Sequence, residues 1–378
     1  MKFRVSSKEL SEKLQISNKI ISSKSSISIL GCYKFEVKGE TLTITSSDLD
    51  NTLIITLQLG EAGEEGVFAL NSQQLSELVK EIPEQPITFD VDFDSSLVKI
   101  YSSNGEFQIN LIDAEEYPQT PTLKEEKTTS ISINSDIFVN GINNTLFATS
   151  KDDMRPIMTG ILIELEESGI NFVATDSHKL AKYHNSSVSF ESEKAKFVLS
   201  QKAAENLKSI IKKTDDHIIL EFDEKNAIIS LENIKYICRF IEGAFPDYNQ
   251  VIPTNITNVL IVDNHDLQTA VKSAGLMTNK GSQLIGFSVK DNELTVTGKD
   301  LDYSTSGKVT VKYQSYQGDD IKLGYKHPDI LEILKLLNSP NIQMQFAGTS
   351  RATLIYQNEE ENENEKITML IMPLMIND

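Results

Sequence analysis

Three times along the chain a polar onset is followed by apolar residues at helical spacing. Ser7-Lys8-Glu9 leads into Leu10, Leu14, Ile16, Ile20 and Ile21, and the same onset recurs at Ser135-Asp136-Ile137-Phe138 and Asn264-His265-Asp266-Leu267. Residues three and four apart share one helix face, so each stretch predicts an amphipathic helix. Ser7, Ser135 and Asn264 are each placed to accept from a free N–H of the first turn. Downstream the period changes to two. Leu42-Thr43-Ile44-Thr45-Ser46-Ser47-Asp48-Leu49-Asp50 matches Leu294-Thr295-Val296-Thr297-Gly298-Lys299-Asp300-Leu301-Asp302, with Phe172-Val173-Ala174-Thr175-Asp176-Ser177-His178 between them. Alternating Thr with Ile or Val is the pattern of a half-buried strand, here running into an acidic turn. A second helix is predicted after Leu70-Asn71-Ser72-Gln73, Leu199-Ser200-Gln201-Lys202 and Leu323-Gly324-Tyr325-Lys326.

Corresponding positions lie roughly 125–130 residues apart, so three copies of one unit fill the 378 residues. The joints are Pro-rich, at Glu116-Tyr117-Pro118-Gln119-Thr120-Pro121 and from Phe245-Pro246-Asp247-Tyr248 to Val251-Ile252-Pro253. Proline fixes φ and removes a donor, which favours extended connectors. The expected architecture is α+β: three repeated units, each with two helices packed on antiparallel sheet, over 1–121, 122–250 and 251–378.

No apolar run approaches the ~20 residues that cross a bilayer, and Met1-Lys2-Phe3-Arg4-Val5 is not an apolar leader. The two cysteines, Cys32 and Cys238, sit in apolar strand-like settings and are expected to be buried reduced thiols of a cytoplasmic protein.

Arg155-Pro156 to Gly160-Ile161, Val173-Ala174-Thr175-Asp176-Ser177-His178-Lys179-Leu180-Ala181, Phe245-Pro246-Asp247-Tyr248 and Met372-Pro373-Leu374 resemble the signature stretches of the bacterial DNA polymerase III sliding clamps (beta subunits). The resemblance spans the chain and includes its threefold organisation. It implies the DNA clamp fold, a head-to-tail homodimer closing into a ring around duplex DNA, and no catalysis, cofactor, metal or membrane. Implied partners are duplex DNA of any sequence, the DNA polymerase III catalytic subunit, the clamp loader and other proteins carrying a clamp-binding motif. Implied DNA contacts are Lys24, Lys151, Arg155 and Lys202. The implied peptide groove comprises Met158, Thr175, Ser177, His178, Lys179, Leu180, Pro246, Gln250, Val251, Met372, Pro373, Leu374 and Met375. Phe107, Leu276 and Met277 are implied at the dimer boundary. Ser177 stands where the family usually has glycine, Lys179 where it has arginine, and Met375 with Asn377-Asp378 replaces a usual arginine and short tail.

A net charge of −19 argues against nucleic acid only if it is evenly spread. The helical stretches 7–24, 72–82, 135–151, 200–213, 264–280 and 326–337 hold 14 Lys and Arg against 9 Asp and Glu, leaving 22 against 46 elsewhere. Basic helices within an acidic remainder suit a protein that attracts phosphates without reading bases. Lys208, Lys212 and Lys213 belong to this basic set. The apolar tail Met369-Leu370-Ile371-Met372-Pro373-Leu374-Met375-Ile376 predicts a last strand that also borders a pocket, with methionines suited to several partners.

Two other classes are considered. Asp176, His178 and His217 could be cast as acid and base, but no Gly-rich phosphate loop, nucleophile elbow or metal-ligand spacing accompanies them. A turn-stabilising role explains Asp48, Asp176 and Asp300 together. A repeat scaffold that binds proteins but not DNA would differ in failing to stay on circular duplex.

Overall fold

The computed structural model describes residues 1–21, 26–124, 127–190, 194–212, 215–358 and 362–376. The six expected helices are α1 (Ser7–Ser17), α2 (Ser72–Glu81), α3 (Ser135–Thr145), α4 (Gln201–Ile210), α5 (Asn264–Gly275) and α6 (His327–Leu336). All end earlier than the apolar spacing implied. After α3, Leu146–Ala148 tightens into a 3-10 turn.

The caps sit one residue earlier than expected. Ser6 accepts from the Glu9 N–H, Asn134 from Asp136 and Asp263 from Asp266. Ser7, Ser135 and Asn264 are buried. Their backbone N–H groups donate to the carbonyls of Gln85, Asp216 and Pro340 respectively, just beyond the second helix of each repeat. Ser7 Oγ also donates to the Pro83 carbonyl, and Asn264 Nδ2 to those of Leu334 and Leu337. The recurring polar onset is thus a buried tie between paired helices, and the cap is its predecessor.

Two compact units emerge: Met1–Val139 with Lys202–Phe240, and Asn140–Gln201 with Ile241–Asp378. Their limits cut through the second repeat because strand pairing runs across repeat boundaries. The first unit holds an antiparallel sheet of 12 strands, in the order Lys2–Ser6, Pro86–Asp92, Leu97–Ser102, Gly105–Ile112, Gly66–Asn71, Cys32–Lys38, Thr41–Ser47, Asn51–Gln58, Ile234–Arg239, Asn226–Leu231, His217–Phe222 and Thr129–Asn134. The boundary pair joins Asn51–Gln58 of repeat one to Ile234–Arg239 of repeat two, with Asn51 opposite Cys238. The second unit holds a nine-stranded sheet, in which Lys179–Asn185 of repeat two pairs with Glu365–Ile371 of repeat three, Lys179 opposite Ile371. Its separate sheet of four strands runs Thr305–Val311, Glu293–Asp300, Leu284–Lys290, Ile321–Lys326.

The repeat-one core explains the strand alternation. Phe3 stacks on Phe89 at 4.8 Å between centroids and Phe35 on Phe68 at 5.4 Å, with Leu10, Leu14, Leu75 and Val79 from α1 and α2 in the same cluster. Cys32 and Cys238 are free and buried. Burial pushes the Cys238 thiol up to about 12, so it holds its proton and is inert at neutral pH. Among the described residues no helix is long and apolar enough to cross a membrane.

Candidate DNA-facing and partner-binding sites

The acidic turns do the same local work in all three repeats. Asp48 Oδ1 accepts from the Asn51 N–H at 2.6 Å, Asp176 Oδ1 from His178 and Lys179 at 2.8 Å each, and Asp300 Oδ1 from Asp302 at 2.9 Å. A carboxylate that fixes its own turn has a structural reason to be there. Leu49 and Ser177 take the same second place in the first two turns with φ of 81° and 79°. That left-handed conformation is where glycine is relaxed, so both side chains sit on strained backbone.

Around the second turn, within one unit, the structure gathers much of the implied groove. Met158 lies in the 3-10 turn Pro156–Thr159 and is buried. Its sulfur is 3.9 Å from Ser177 Oγ, which accepts from Arg155 Nη1 at 2.5 Å. Thr175 ends its strand and its hydroxyl donates to the Lys179 carbonyl. The last strand stops at Ile371, after which the Met372 N–H donates to the His178 carbonyl at 2.8 Å. Leu374 exchanges backbone bonds with Gly324. Leu180, Tyr248 and Leu370 share an apolar cluster to which Met372, Phe245 and Ile252 add partly buried surface. Gln250 and Val251 stand exposed on the 3-10 turn Tyr248–Val251, next to exposed Pro246. Pro373 is half-buried, and Met375, at 92%, is almost fully exposed.

Lys179 differs from its neighbours. It is buried, and its ammonium reaches Asp329 at 2.9 Å and Glu332 at 3.0 Å on α6, 5.5 Å over the Phe147 ring. Burial alone would lower its pKa, but the hydrogen bonds to Asp329 and then Glu332 outweigh that, and the net shift is upward. The ammonium is therefore committed inside the fold. Sequence gave no hint of Asp329 and Glu332 as partners, because 150 and 153 residues separate them from Lys179.

The implied DNA contacts fare unevenly. Lys24 and Lys213 lie outside the described residues. Lys151 is exposed. Arg155 is held by Asp152 at 2.9 Å as well as by Ser177, which places it at the groove. Lys202 is not a free cation: its ammonium pairs with the Asp48 carboxylate and reaches the Ile20 carbonyl at 3.4 Å. Buried bonds continue beside it, from Asn206 to the Tyr236 hydroxyl at 3.1 Å and from that hydroxyl to Asn51 at 2.7 Å. Lys8, Lys80, Lys208, Lys272 and Lys335 are exposed on the helices and Lys19, Lys212 and Lys326 just beyond their ends, with Lys8 paired to Glu84 at 3.1 Å.

At the third boundary position, Phe107 lies on the strand Gly105–Ile112 and half-buries itself against the repeat-one core. Leu276 follows α5 and is 82% exposed. Met277 lies over Gly307, where an added Cβ would come within 2.9 Å of its Cγ.

Models of the DNA polymerase III beta subunit match in chain order: the N-terminal domain over residues 1–121, the central domain over 132–247 and the C-terminal domain over 249–375. The beta sliding clamp of Bacillus subtilis (strain 168) is 27% identical over 383 residues, covering 99% of each chain. That of Haemophilus influenzae (strain Rd) is 25% identical over 377 residues, covering 100% of each. Among solved structures, the DNA polymerase sliding clamp from Bacillus subtilis superposes with a TM-score of 0.91 at 25% identity, covering 100% of both chains. A Pseudomonas aeruginosa sliding clamp bound to griselimycin has a TM-score of 0.93 at 18% identity, again over 100% of both.

Proposed function

The chain belongs to the DNA polymerase III beta subunit family, the sliding clamps, and from that premise we propose that two copies join head to tail into a ring around duplex DNA. The family is a non-catalytic processivity factor for DNA polymerase, and its three-domain clamp fold is the fold of this chain. In this reading the domains are 1–121, 122–250 and 251–378, and the protein works in the cytoplasm. The exposed helix lysines, with Lys24 and Lys151, hold phosphates of any sequence. The groove from Met158 to Met375 tethers the polymerase III catalytic subunit, the clamp loader and other clamp-binding-motif proteins.

One observation carries the assembly. Each repeat boundary within the chain is sealed by the strand after an acidic turn pairing with the last strand of the next repeat's other sheet. Among the described residues, the third strand of that kind, Thr305–Val311, is paired on one side only, and its counterpart Gly105–Ile112 has no second partner along most of its length. Two complementary free edges on one chain favour pairing with a second copy.

The repeats also give a register. Asn51 faces Cys238 at the first boundary. Thr305 holds the place of Asn51, and Ile109 that of Cys238, counting from the hairpin pairs Asp300–Thr305 and Ser102–Gly105. Ser306 then meets Gln108 of the second copy, and Gly307 meets its Phe107 beneath Met277.

The deciding experiment is retention on DNA. Loaded protein should stay on circular duplex and leave when the circle is cut. Equal loss from both forms would exclude encirclement and favour a protein-only scaffold.

A further inference from the structure

Besides paired strands, both boundaries inside the chain carry a lysine clasp. At the first, Lys202 of α4 pairs with Asp48 in the preceding turn. At the second the charges are exchanged, with Lys179 in the turn and Asp329 and Glu332 on the following α6. The boundary between copies keeps only one of these partners, Glu77 of α2 in the place of Glu332. Gln73 of α2 stands where α4 has Lys202, and Gln74 where α6 has Asp329. Gln73 is bonded to Glu77 at 3.0 Å.

The third turn differs in another way. Two residues separate the paired Asp48 and Asn51, and two separate Asp176 and Lys179, whereas four, Leu301 to Ser304, separate Asp300 from Thr305. The longer turn shows water two large side chains, Leu301 at 75% and Tyr303 at 79% exposure. At the helix end where the clasp lysine would sit, repeat one has a cavity of about 700 Å³ between α1 and α2. Asn18, Ile21, Ile27, Gln73, Ser76 and Glu77 are among its lining. An amphipathic tyrosine beside a leucine suits such a half-apolar, half-amide wall.

We propose that the turn 301–304 of one copy plugs the α1–α2 cavity of the other, so that the seam between copies is held by apolar contact where the seams within a copy use ion pairs. The proposal rests on the dimer reading above. Glu77 shares the cavity with Lys80, while Asp300 fixes its own turn and Asp302 is bonded by Asn279 at 2.9 Å, so an ion-paired seam is not favoured here and an apolar plug adds to the adhesion of the paired strands.

The test is the dimer dissociation constant of the full chain, by sedimentation. Raising salt from about 0.05 M to about 0.5 M should change it by less than about threefold, since little charge attraction is there to be screened. Leu301→Ser with Tyr303→Ser should weaken the dimer by about 100-fold, through loss of two buried side chains. Ser76→Phe, which fills the cavity, should weaken it while the monomer's circular dichroism is unchanged. A dimer indifferent to both variants, or one that weakens more than about tenfold with salt, overturns the plug. Ser306→Cys with Gln108→Cys separates that failure from a failure of the dimer reading. Cross-linking with intact Leu301 and Tyr303 indifferent refutes the plug alone, whereas a wild-type monomer with no cross-link refutes both.

Discussion

Single residues carry the sharpest consequences. Gly298 lies where an added Cβ would come within 1.9 Å of the Ala274 carbonyl on α5, a backbone atom that cannot swing aside. Gly298→Ala should cost roughly 1–3 kcal/mol or more in denaturant unfolding, because overpacking must move the helix. His184 responds to pH. Burial first, and then the Lys182 ammonium, hold its pKa below 6.5 against the opposing pull of Glu166. The unfolded chain then takes up the proton first, so stability present above pH 6.5 is lost as pH falls through and below it. Melting at about pH 7.5 and about pH 5 should show that loss, smaller in His184→Gln. Lys202 shows what sequence could and could not reveal at this scale. Its place at a helix start was legible, but its commitment to Asp48 was not, since 154 residues separate them. Likewise the polar onsets at Ser7 and Asn264 were visible, yet their burial depends on carbonyls beyond the second helix.

Elements were more legible than contacts. All six helices and the three strand-to-turn copies could be placed, because periodicity is local and the repeat triples the signal. Helix ends could not: Ile20 and Ile21 continue the apolar spacing beyond α1, yet α1 stops at Ser17. The proposed groove is an element-scale reading that draws on a 3-10 turn, a hairpin and the segment after the last strand. Met372 and Leu374 are fastened by backbone bonds to His178 and Gly324, which alanine side chains leave in place. Met372→Ala with Leu374→Ala should therefore weaken a labelled clamp-binding peptide by at least about tenfold without fraying the last strand. Titration at unchanged affinity would place partners elsewhere.

At the scale of the whole molecule, charge governs. Lys24→Glu with Lys151→Glu should shorten retention on circular duplex of any sequence, and flatten its salt dependence by about one unit of log–log slope per lost phosphate contact. Normal retention and slope would remove both from the DNA-facing set. Lys202→Glu is a poorer probe, because it would place a second carboxylate against Asp48.

The lysine clasps bear on a quantity that belongs to no single site: angle. Like joints repeated head to tail close only if their rotations sum to a full circle; otherwise the same contacts propagate into an open filament. Three different joints, each used twice, must together make up the full turn, and a small error at one kind of joint recurs with every copy. Lys202→Met, which slackens the first joint and touches no surface between copies, should therefore shift concentrated protein from dimers toward longer, open-ended chains. Light scattering after gel filtration would register them, and a variant that remains strictly dimeric would show that strand pairing alone sets the bend.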